Sequence, residues 1–200
     1  MRKNNANQMT SFPYVSQVKQ DVIDALRFDG SLRQGDYTLR CGRKSNLYVD
    51  IKTSLLKPTS AKTIHDAISI KIETSSLPCF TRHSLLVGYG YGGALLCAGY
   101  ISSNTNSRAA VLRSETKEHG LQGELIGEKP SLGRHIIILE DVVTTGGSVI
   151  ECLNLLKKSI KEKDLRVGGI LTIVDRREDP TQNIEGLPVV SVLTEKDLKE

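Results

Sequence analysis

Tryptophan is absent from this sequence, and aromatic residues make up only 4% of it. Long apolar runs are also lacking, and none approaches the ~18 residues that a membrane-spanning helix needs. The N-terminal segment, residues 1–8, is polar and rich in asparagine, without the apolar core of a secretory signal. We therefore expect no membrane partner and no secretory signal. No acidic residue precedes Asp21, so an organelle transit peptide remains an alternative for the N-terminal segment.

Closely spaced cysteine pairs and blocks of like charge are lacking too. Cys41, Cys79, Cys97 and Cys152 show no C-x-x-C spacing, so we expect reduced thiols and a cytoplasmic location. The net charge of +4 is mild and is spread along the chain. It does not predict nucleic-acid binding, but it suits an anionic substrate.

The rest of the composition is typical of a globular α/β protein. The 200 residues, 38% of them hydrophobic and 25% charged, are enough for one domain with a sizeable core. No internal repeat, low-complexity tract or linker divides the chain. We expect a single domain over residues 1–200, with a disordered tail over residues 1–12.

The most informative stretch covers residues 135–148. Its first part, HIIIL, is a β-branched apolar run too short for an ordinary helix, which predicts a strand buried on both faces. Glu140 and Asp141 follow, and then the hydroxyl- and glycine-rich turn TTGGS over residues 144–148. Apolar residues recur at helical spacing from Val149 onward. The order is therefore strand, acidic pair, Thr/Gly turn and helix.

This order predicts a site for a phosphorylated sugar. Glycines let backbone N–H groups close around an anion, hydroxyls add donors, and a helix N-terminus favours negative charge. The two carboxylates suit sugar hydroxyls or a hydrated Mg²⁺ beside a phosphate. The Gly-Lys-Ser/Thr of a Walker loop is lacking, which disfavours hydrolysis of nucleoside triphosphates. An ordinary turn with solvated acids is the alternative.

A basic hairpin is predicted earlier in the chain. Residues 35–50 read as two short alternating strands around a turn that carries Arg40, Arg43 and Lys44. The alternative is a solvated basic turn.

A glycine-rich segment follows the next predicted strand. Residues 88–93 (GYGYGG) match the G-x-G-x-x-G of dinucleotide-binding folds. The strand after them ends in Arg113, where such folds carry an acidic residue, so this match is weak.

Residues 113–126 are charged, punctuated by glycine and without periodicity, which predicts a mobile loop or an exposed hairpin tip. Arg113, Lys117 and His119 would all meet one pyrophosphate if such a loop closed, and exclusion of water would strengthen those contacts.

Five motifs, the glycine-rich segment among them, resemble a known family over roughly residues 35–193. Residues 135–148 closely resemble the phosphoribosyl-diphosphate (PRPP) motif of type I phosphoribosyltransferases. The hairpin pattern Y-T-L-x-x-G-x-x-S-x-x-Y-x-D over residues 37–50, the basic loop, and D-R-x-E over residues 175–178 are similar to the orotate branch of that family. The chain departs from the pattern at Ser114, where the family has a second basic residue, and at Gly92, where some members have a lysine.

The resemblance implies an α/β fold, with a type I phosphoribosyltransferase-like parallel sheet of about five strands flanked by helices and a small N-terminal hood hairpin. Residues 13–57 would form a helix and the hood region. Strands of the sheet are predicted at residues 84–87, 109–112, 135–139, 167–174 and 188–193.

The resemblance also implies Mg²⁺-dependent transfer of the 5-phosphoribosyl group from PRPP to orotate, giving orotidine 5′-monophosphate and pyrophosphate in pyrimidine biosynthesis. The family works as a homodimer in which the loop, residues 113–123, enters the neighbouring active site. Mg²⁺ would be bound mainly through PRPP, with no direct protein ligand. Two rivals remain: a phosphoribosyltransferase for another base, and a non-catalytic PRPP-binding regulator on the same fold.

Residue roles carried by the resemblance fall into three groups. The catalytic candidates are Arg113, Lys117, His119 and Asp141. The PRPP-binding candidates are Tyr91, Gly92, Arg113, Ser114, Lys117, His119, Glu140, Asp141, Val142, Val143, Thr144, Thr145, Gly146, Gly147 and Ser148. The orotate-binding candidates are Arg40, Tyr48, Thr144 and Arg176.

Overall fold

The secondary structure of the chain comprises a small hairpin and a larger sheet with helices on both faces. The computed structural model describes residues 12–38, 42–104, 106–113, 125–131, 133–160 and 165–200. In chain order, the elements in these ranges are α1 (Phe12–Phe28), β1 (Leu32–Thr38), β2 (Lys44–Val49), α2 (Ile51–Leu55), α3 (Pro58–Thr74), β3 (Leu85–Tyr89), α4 (Gly90–Ser103), β4 (Arg108–Leu112), β5 (Leu125–Gly127), β6 (Ile136–Val143), α5 (Gly147–Ser159), β7 (Val167–Asp175) and β8 (Val189–Thr194).

The main sheet has six strands in the order β5-β4-β3-β6-β7-β8. Five of them are parallel, as predicted, and β5 pairs antiparallel with β4 at one edge, with Leu112 opposite Leu125. The prediction of a loop through residue 126 is wrong at its end, because residues 125 and 126 belong to β5. Three residues are too few to show a strand period, so only long-range pairing reveals this strand.

The central strand, β6, is buried on both faces, as its β-branched run predicts. Ile137 and Leu139 pack into the core beneath helices α1 to α4, whereas Ile136 and Ile138 pack into the core beneath α5. Alternate residues of a strand point to opposite faces, so one short run serves both cores. Helices therefore cover both faces of the sheet, which is the usual environment of parallel strands.

The predicted hairpin is present as β1 and β2, and we call these two strands the hood hairpin. Leu32 pairs with Val49 and Thr38 with Lys44, with a register irregularity between Gln34 and Tyr37. The first strand begins three residues before the predicted segment, and the short helix α2, which the sequence did not predict, follows the second. The five residues of α2 are too few for a helical period to emerge.

The cysteines of the described ranges, Cys79, Cys97 and Cys152, are free thiols. Burial raises the pKa of Cys97 to about 12, and it also raises the pKa of Cys152. Both buried thiols are therefore uncharged and inert at neutral pH. Over the same ranges, no helix is long and apolar enough to cross a membrane.

Candidate active site

The acidic pair lies within the central strand. The sequence placed Glu140 and Asp141 just after a strand ending at residue 139, but β6 continues to Val143. The two acids are only 6% and 7% exposed. They therefore lie near the C-terminal end of the middle of the sheet, where α/β proteins commonly bind their ligands.

Asp141 is enclosed by two elements on one face of the sheet. The Lys52 ammonium on α2 donates a hydrogen bond to Asp141 Oδ2 over 2.9 Å. From α4, Gly92 approaches so closely that a β-carbon there would lie 2.5 Å from Asp141 Cγ. Burial acts to raise the pKa of Asp141, but the neighbouring Glu140 and the charge of Lys52 outweigh it and lower that pKa. Asp141 is therefore ionised at neutral pH.

Glu140 has different surroundings, as expected for the next residue along a strand. Its Oε1 accepts the Asp141 backbone N–H over 3.2 Å, and its Oε2 is buried with no hydrogen-bond partner in the described part of the chain. Burial, followed by the neighbouring Asp141, raises the pKa of Glu140. The pair thus carries one negative charge at neutral pH instead of two, and Glu140 holds an unused oxygen.

A cavity of about 360 Å³ lies beside Glu140, at the end of β6. The Thr/Gly turn forms its wall, and α5 begins directly from that turn at Gly147. Gly146 has a φ of 82°, a left-handed conformation that glycine adopts without strain. Seven of the predicted PRPP-binding residues line this cavity, namely Val142, Val143, Thr144, Thr145, Gly146, Gly147 and Ser148. The helix N-terminus and the hydroxyls suit an anion here.

The glycine-rich segment joins β3 directly to α4. A β-carbon at Gly88 would lie 2.2 Å from the carbonyl oxygen of Gly93, and one at Gly93 would lie 2.9 Å from the carbonyl oxygen of Leu139. Strand and helix therefore approach each other in a way that only glycine permits. This packing accounts for Gly88 and Gly93, and the positive φ of 62° at Gly90 accounts for the middle glycine, so the G-x-G-x-x-G spacing needs no dinucleotide. Tyr91, in the first turn of α4, is 80% exposed.

Arg176 joins the hood hairpin to the main sheet. Its Nη2 donates to Ser45 Oγ over 2.8 Å and to the Leu47 carbonyl over 3.2 Å, while its Nε donates to Glu195 Oε2 over 3.2 Å. Its backbone N–H donates to the Val143 carbonyl over 2.7 Å. The guanidinium therefore contacts the residue before Tyr48, and the Arg176 backbone contacts the residue before Thr144; Tyr48 and Thr144 are two other predicted orotate residues. The guanidinium is also buried and already paired.

A second arginine shares the same counter-ion. Arg43 Nη2 donates to Glu195 Oε2 over 3.0 Å and to the Arg176 carbonyl over 2.7 Å. Burial acts to raise the pKa of Glu195, but the hydrogen bond and charge of Arg176 overcome it and lower that pKa. One carboxylate oxygen thus balances two guanidinium groups at the junction of hood and sheet.

Tyr48 lies on the hood hairpin and is 39% exposed. The rings of Tyr37 and Tyr48 have centroids 5.2 Å apart and are tilted by 35°. The Arg33 guanidinium carbon is 6.0 Å from the centre of the Tyr48 ring. These neighbours support the ring while leaving part of its surface accessible.

The structure brings together one part of the predicted site. The acidic pair, the Thr/Gly turn, Gly92 and Tyr91 surround the end of β6, while Tyr48 and Arg176 lie at the hood junction. Arg113 is exposed at the end of β4. The remaining predicted site residues lie outside the described ranges; these are Arg40, Ser114, Lys117 and His119.

Sequence reasoning missed Lys52 and Glu195 and gave Arg43 no specific role. Lys52 lies 89 positions from Asp141, and Arg43 lies 152 positions from Glu195. Neither separation leaves a local pattern in the sequence. The one available signal was the closeness of Lys52 to Asp50 and Tyr48 in the hairpin motif.

The described side chains of the site offer few ligands to a metal ion. In the described ranges, no group of three or more His, Cys, Asp or Glu side chains is placed to hold a metal. The Glu140 Oε2, which has no partner among the described residues, would be a hard oxygen donor of the kind Mg²⁺ prefers once the cation displaces the Glu140 proton. These residues fit a Mg²⁺ ion that receives most of its ligands from a bound phosphate compound and from water.

Comparison with solved structures identifies the class. A crystal structure of orotate phosphoribosyltransferase from Aeropyrum pernix aligns with a TM-score of 0.70 at 25% identity, covering 88% of this chain and 95% of that one. The Mycobacterium tuberculosis enzyme in complex with PRPP aligns with a TM-score of 0.66 at 22% identity, covering 90% and 99%. The fold, with its acidic pair and Thr/Gly turn, is that of a type I phosphoribosyltransferase.

Sequence comparison identifies the family within that class. Orotate phosphoribosyltransferase of Pyrococcus abyssi is 34% identical over 168 residues, which is 84% of this chain and 87% of that protein. No family model matches the sequence. The chain belongs to the orotate phosphoribosyltransferase family, as the resemblance of its motifs predicted.

Proposed function

We propose that this protein transfers the 5-phosphoribosyl group from PRPP to orotate, giving orotidine 5′-monophosphate and pyrophosphate for pyrimidine biosynthesis. One observation carries the proposal: a buried acidic pair adjoins an anion-binding turn on one side and a lysine on the other. That arrangement has separate places for the phosphate, the hydroxyls and the leaving group of one sugar phosphate. Family membership supports the choice of orotate.

This reaction requires the protein mainly to orient the two substrates and to stabilise the charges that develop. The bond between C1 of the ribose and the pyrophosphate oxygen breaks, and pyrophosphate leaves with the electron pair. A ring nitrogen of orotate bonds to C1 and gives up its proton to the departing pyrophosphate or to solvent. Positive charge develops on the ribose as this happens. The ionised Asp141 beside the ribose would stabilise that charge, and the turn from Thr144 to Ser148 would fix the 5′-phosphate.

Orotate would bind between the hood hairpin and the end of β6. The exposed face of the Tyr48 ring offers a surface for the pyrimidine, and Thr144 and Arg40 would add polar contacts. Arg176 suits a carboxylate because its planar guanidinium can donate two parallel hydrogen bonds. In the structure described here Glu195 and the hood already occupy its Nε and Nη2. Orotate would therefore use Nη1 or displace one of these partners.

The leaving pyrophosphate would be met by the loop of residues 113–123, through Arg113, Ser114, Lys117 and His119. In this proposal the protein is a cytoplasmic homodimer, and each loop serves the neighbouring subunit's site. Mg²⁺, when bound, would offset the negative charge that gathers on the pyrophosphate.

Ultraviolet absorbance tests the proposal directly. With PRPP and Mg²⁺ present, orotate absorbance should change with time, while uracil and adenine in parallel reactions should show no change. Turnover of another base with none of orotate would identify a different phosphoribosyltransferase. PRPP binding by calorimetry without turnover of any base would identify a non-catalytic regulator.

A further inference from the structure

Lys52 contacts the acidic pair, although no motif in the sequence assigns it a role. It lies on α2, directly after the hood hairpin, and its Nζ is 2.9 Å from Asp141 Oδ2 and 3.9 Å from Asp50 Oδ1. Its side chain is 50% exposed, so it is not sealed into the core. An ammonium group has three N–H donors, and Asp141 accepts one of them within hydrogen-bond distance.

The location of Lys52 matches the leaving-group side of the bound sugar. The 5′-phosphate cavity lies beside Glu140 and is lined by the turn and the start of α5. Lys52 and Gly92 approach the other carboxylate, that of Asp141, from α2 and α4. In a ribose the 5′-phosphate and the substituent on C1 lie at opposite ends of the ring. A sugar anchored by its phosphate in the cavity would therefore extend its C1 substituent towards Lys52 and Gly92.

The positive charge of Lys52 suits a position between the Asp141 carboxylate and a diphosphate. A diphosphate approaching an ionised carboxylate is repelled unless a cation lies between them. Although burial acts to lower the pKa of Lys52, Asp141 outweighs it and raises that pKa, so the ammonium stays charged. Position 92 cannot supply a cation, because it is a glycine and any β-carbon would meet the Asp141 carboxylate.

We propose that Lys52 binds the diphosphate of PRPP and bridges it to Asp141. This inference rests on the proposed function only in taking PRPP as the ligand of this site. Lys52 would then hold the leaving group from within the same subunit, in addition to any cation that a loop supplies. Because Lys52 follows the hood hairpin, binding of the diphosphate would also fix the hood over the site.

The test compares two ligands that differ in the diphosphate. Calorimetric titration of Lys52→Met with inorganic pyrophosphate and Mg²⁺ should show affinity weakened by roughly ten- to hundredfold, the range for loss of a charge-assisted hydrogen bond. Titration with ribose 5-phosphate, which lacks the diphosphate, should change by less than about threefold. Lys52→Arg should restore most of the affinity for pyrophosphate.

Lys57→Met is the matched control, because Lys57 is similarly exposed at 45% and pairs with Asp29, away from the acidic pair. It should leave both affinities unchanged. A melting temperature for Lys52→Met close to that of Lys57→Met would exclude unfolding as the cause of weaker binding.

A double variant separates direct contact from an effect through Asp141. On an Asp141→Asn background, Lys52→Met should still weaken pyrophosphate binding, because the contact with the diphosphate is lost as well. If Lys52→Met adds nothing there, or weakens ribose 5-phosphate as much as pyrophosphate, Lys52 only positions Asp141 and the proposal is overturned. A wild-type protein that binds pyrophosphate but turns over no orotate would contradict the proposed function alone. One that binds no pyrophosphate would contradict both.

Discussion

Gly92 lies against the carboxylate of Asp141, and a β-carbon at position 92 would be 2.6 Å from Oδ1 and 2.7 Å from Oδ2. The family resemblance alone made this glycine a departure, because some members carry a lysine there. In this chain it is the space into which the carboxylate fits. Its backbone is not in the left-handed region, so the requirement for glycine comes from the neighbouring side chain.

We predict that Gly92→Ala will disable the site while leaving the protein folded. The added methyl group must push the Asp141 carboxylate away from Lys52, whereas alanine suits the first turn of a helix. PRPP affinity measured by calorimetry should fall about tenfold or more. The melting temperature should fall by only a few degrees, as for overpacking at one position of roughly 1–2 kcal/mol. Normal PRPP binding by this variant would show that the carboxylate has room to move.

The two acids should respond differently to neutralisation. Glu140→Gln should change the free energy of unfolding by less than about 0.5 kcal/mol, because Glu140 is already protonated at neutral pH and glutamine keeps the oxygen that accepts the Asp141 N–H. Asp141→Asn removes the charged partner of Lys52 and should cost about 1 kcal/mol, since Lys52 is half exposed. Urea denaturation at neutral pH measures both values. Equal losses would mean that Glu140 is ionised in the folded protein.

Asp141→Asn should also weaken PRPP binding far more than it weakens folding. Calorimetry on the folded variant provides the measurement. An unchanged affinity for PRPP would show that Asp141 does not bind the ribose.

Arg176→Ala should selectively weaken the binding of a base that carries a carboxylate. Binding of orotate should weaken more than binding of uracil, which lacks that carboxylate, by roughly 1.5–3 kcal/mol for one charge-assisted contact. The same substitution leaves Glu195 with one arginine fewer, so some loss of stability is expected. Arg43→Met, which removes the other arginine from Glu195, is the control for that loss. If orotate and uracil weakened together, the role of Arg176 would be limited to holding the hood.

Subunit exchange tests the homodimer and its loop. Lys117→Ala and Asp141→Asn should each be inactive alone, but mixing them should return about a quarter of wild-type activity. Random pairing makes about half of the dimers hybrid, and each hybrid has one site with both residues intact. Mass spectrometry would confirm that hybrids form. If the hybrid dimers were as inactive as the two parent variants, the loop would act in the active site of its own subunit.

Stability should fall at mildly acidic pH because of His65, a buried residue of α3. Burial lowers its pKa below 6.5, an effect that Asp66 only partly offsets. The unfolded chain therefore binds more protons below pH 6.5, so stability is complete above that value and is lost as the pH falls through it. Urea midpoints measured from about pH 8 to about pH 5 should show this loss, and His65→Leu should flatten it. An equally steep profile in the variant would assign the effect to another group.

The sequence predicted those parts of the fold that depend on local patterns. The run at residues 135–139 predicted the buried strand that the structure has, and the turn at residues 144–148, predicted as an anion site, lines a cavity. The extension of β6 through both acids was not predicted, because carboxylates are unusual in a buried strand and were taken as its end. Their burial is possible because Lys52 pairs with one and protonation neutralises the other.

The parts that escaped prediction depend on distant partners. The contacts of Arg176 with Glu195 and Ser45 join three separate segments, and no period or motif encodes such a meeting. The same holds for β5, whose three residues become a strand only because β4 lies beside them. Local chemistry led to the prediction of a phosphate ligand, and tertiary packing decided how the charges of the site are paired.

The short strand β5 has a consequence for solubility. A sheet edge with unpaired backbone groups is a template on which other chains can aggregate, and β5 covers that edge of β4 over residues 125–127. Residues 113–124 connect these two strands, so the segment assigned to pyrophosphate also delivers the strand that protects the sheet. Substitutions in that connection that disturb the pairing of Leu112 with Leu125 would therefore replace a three-residue edge with the longer edge of β4 and promote precipitation of the protein.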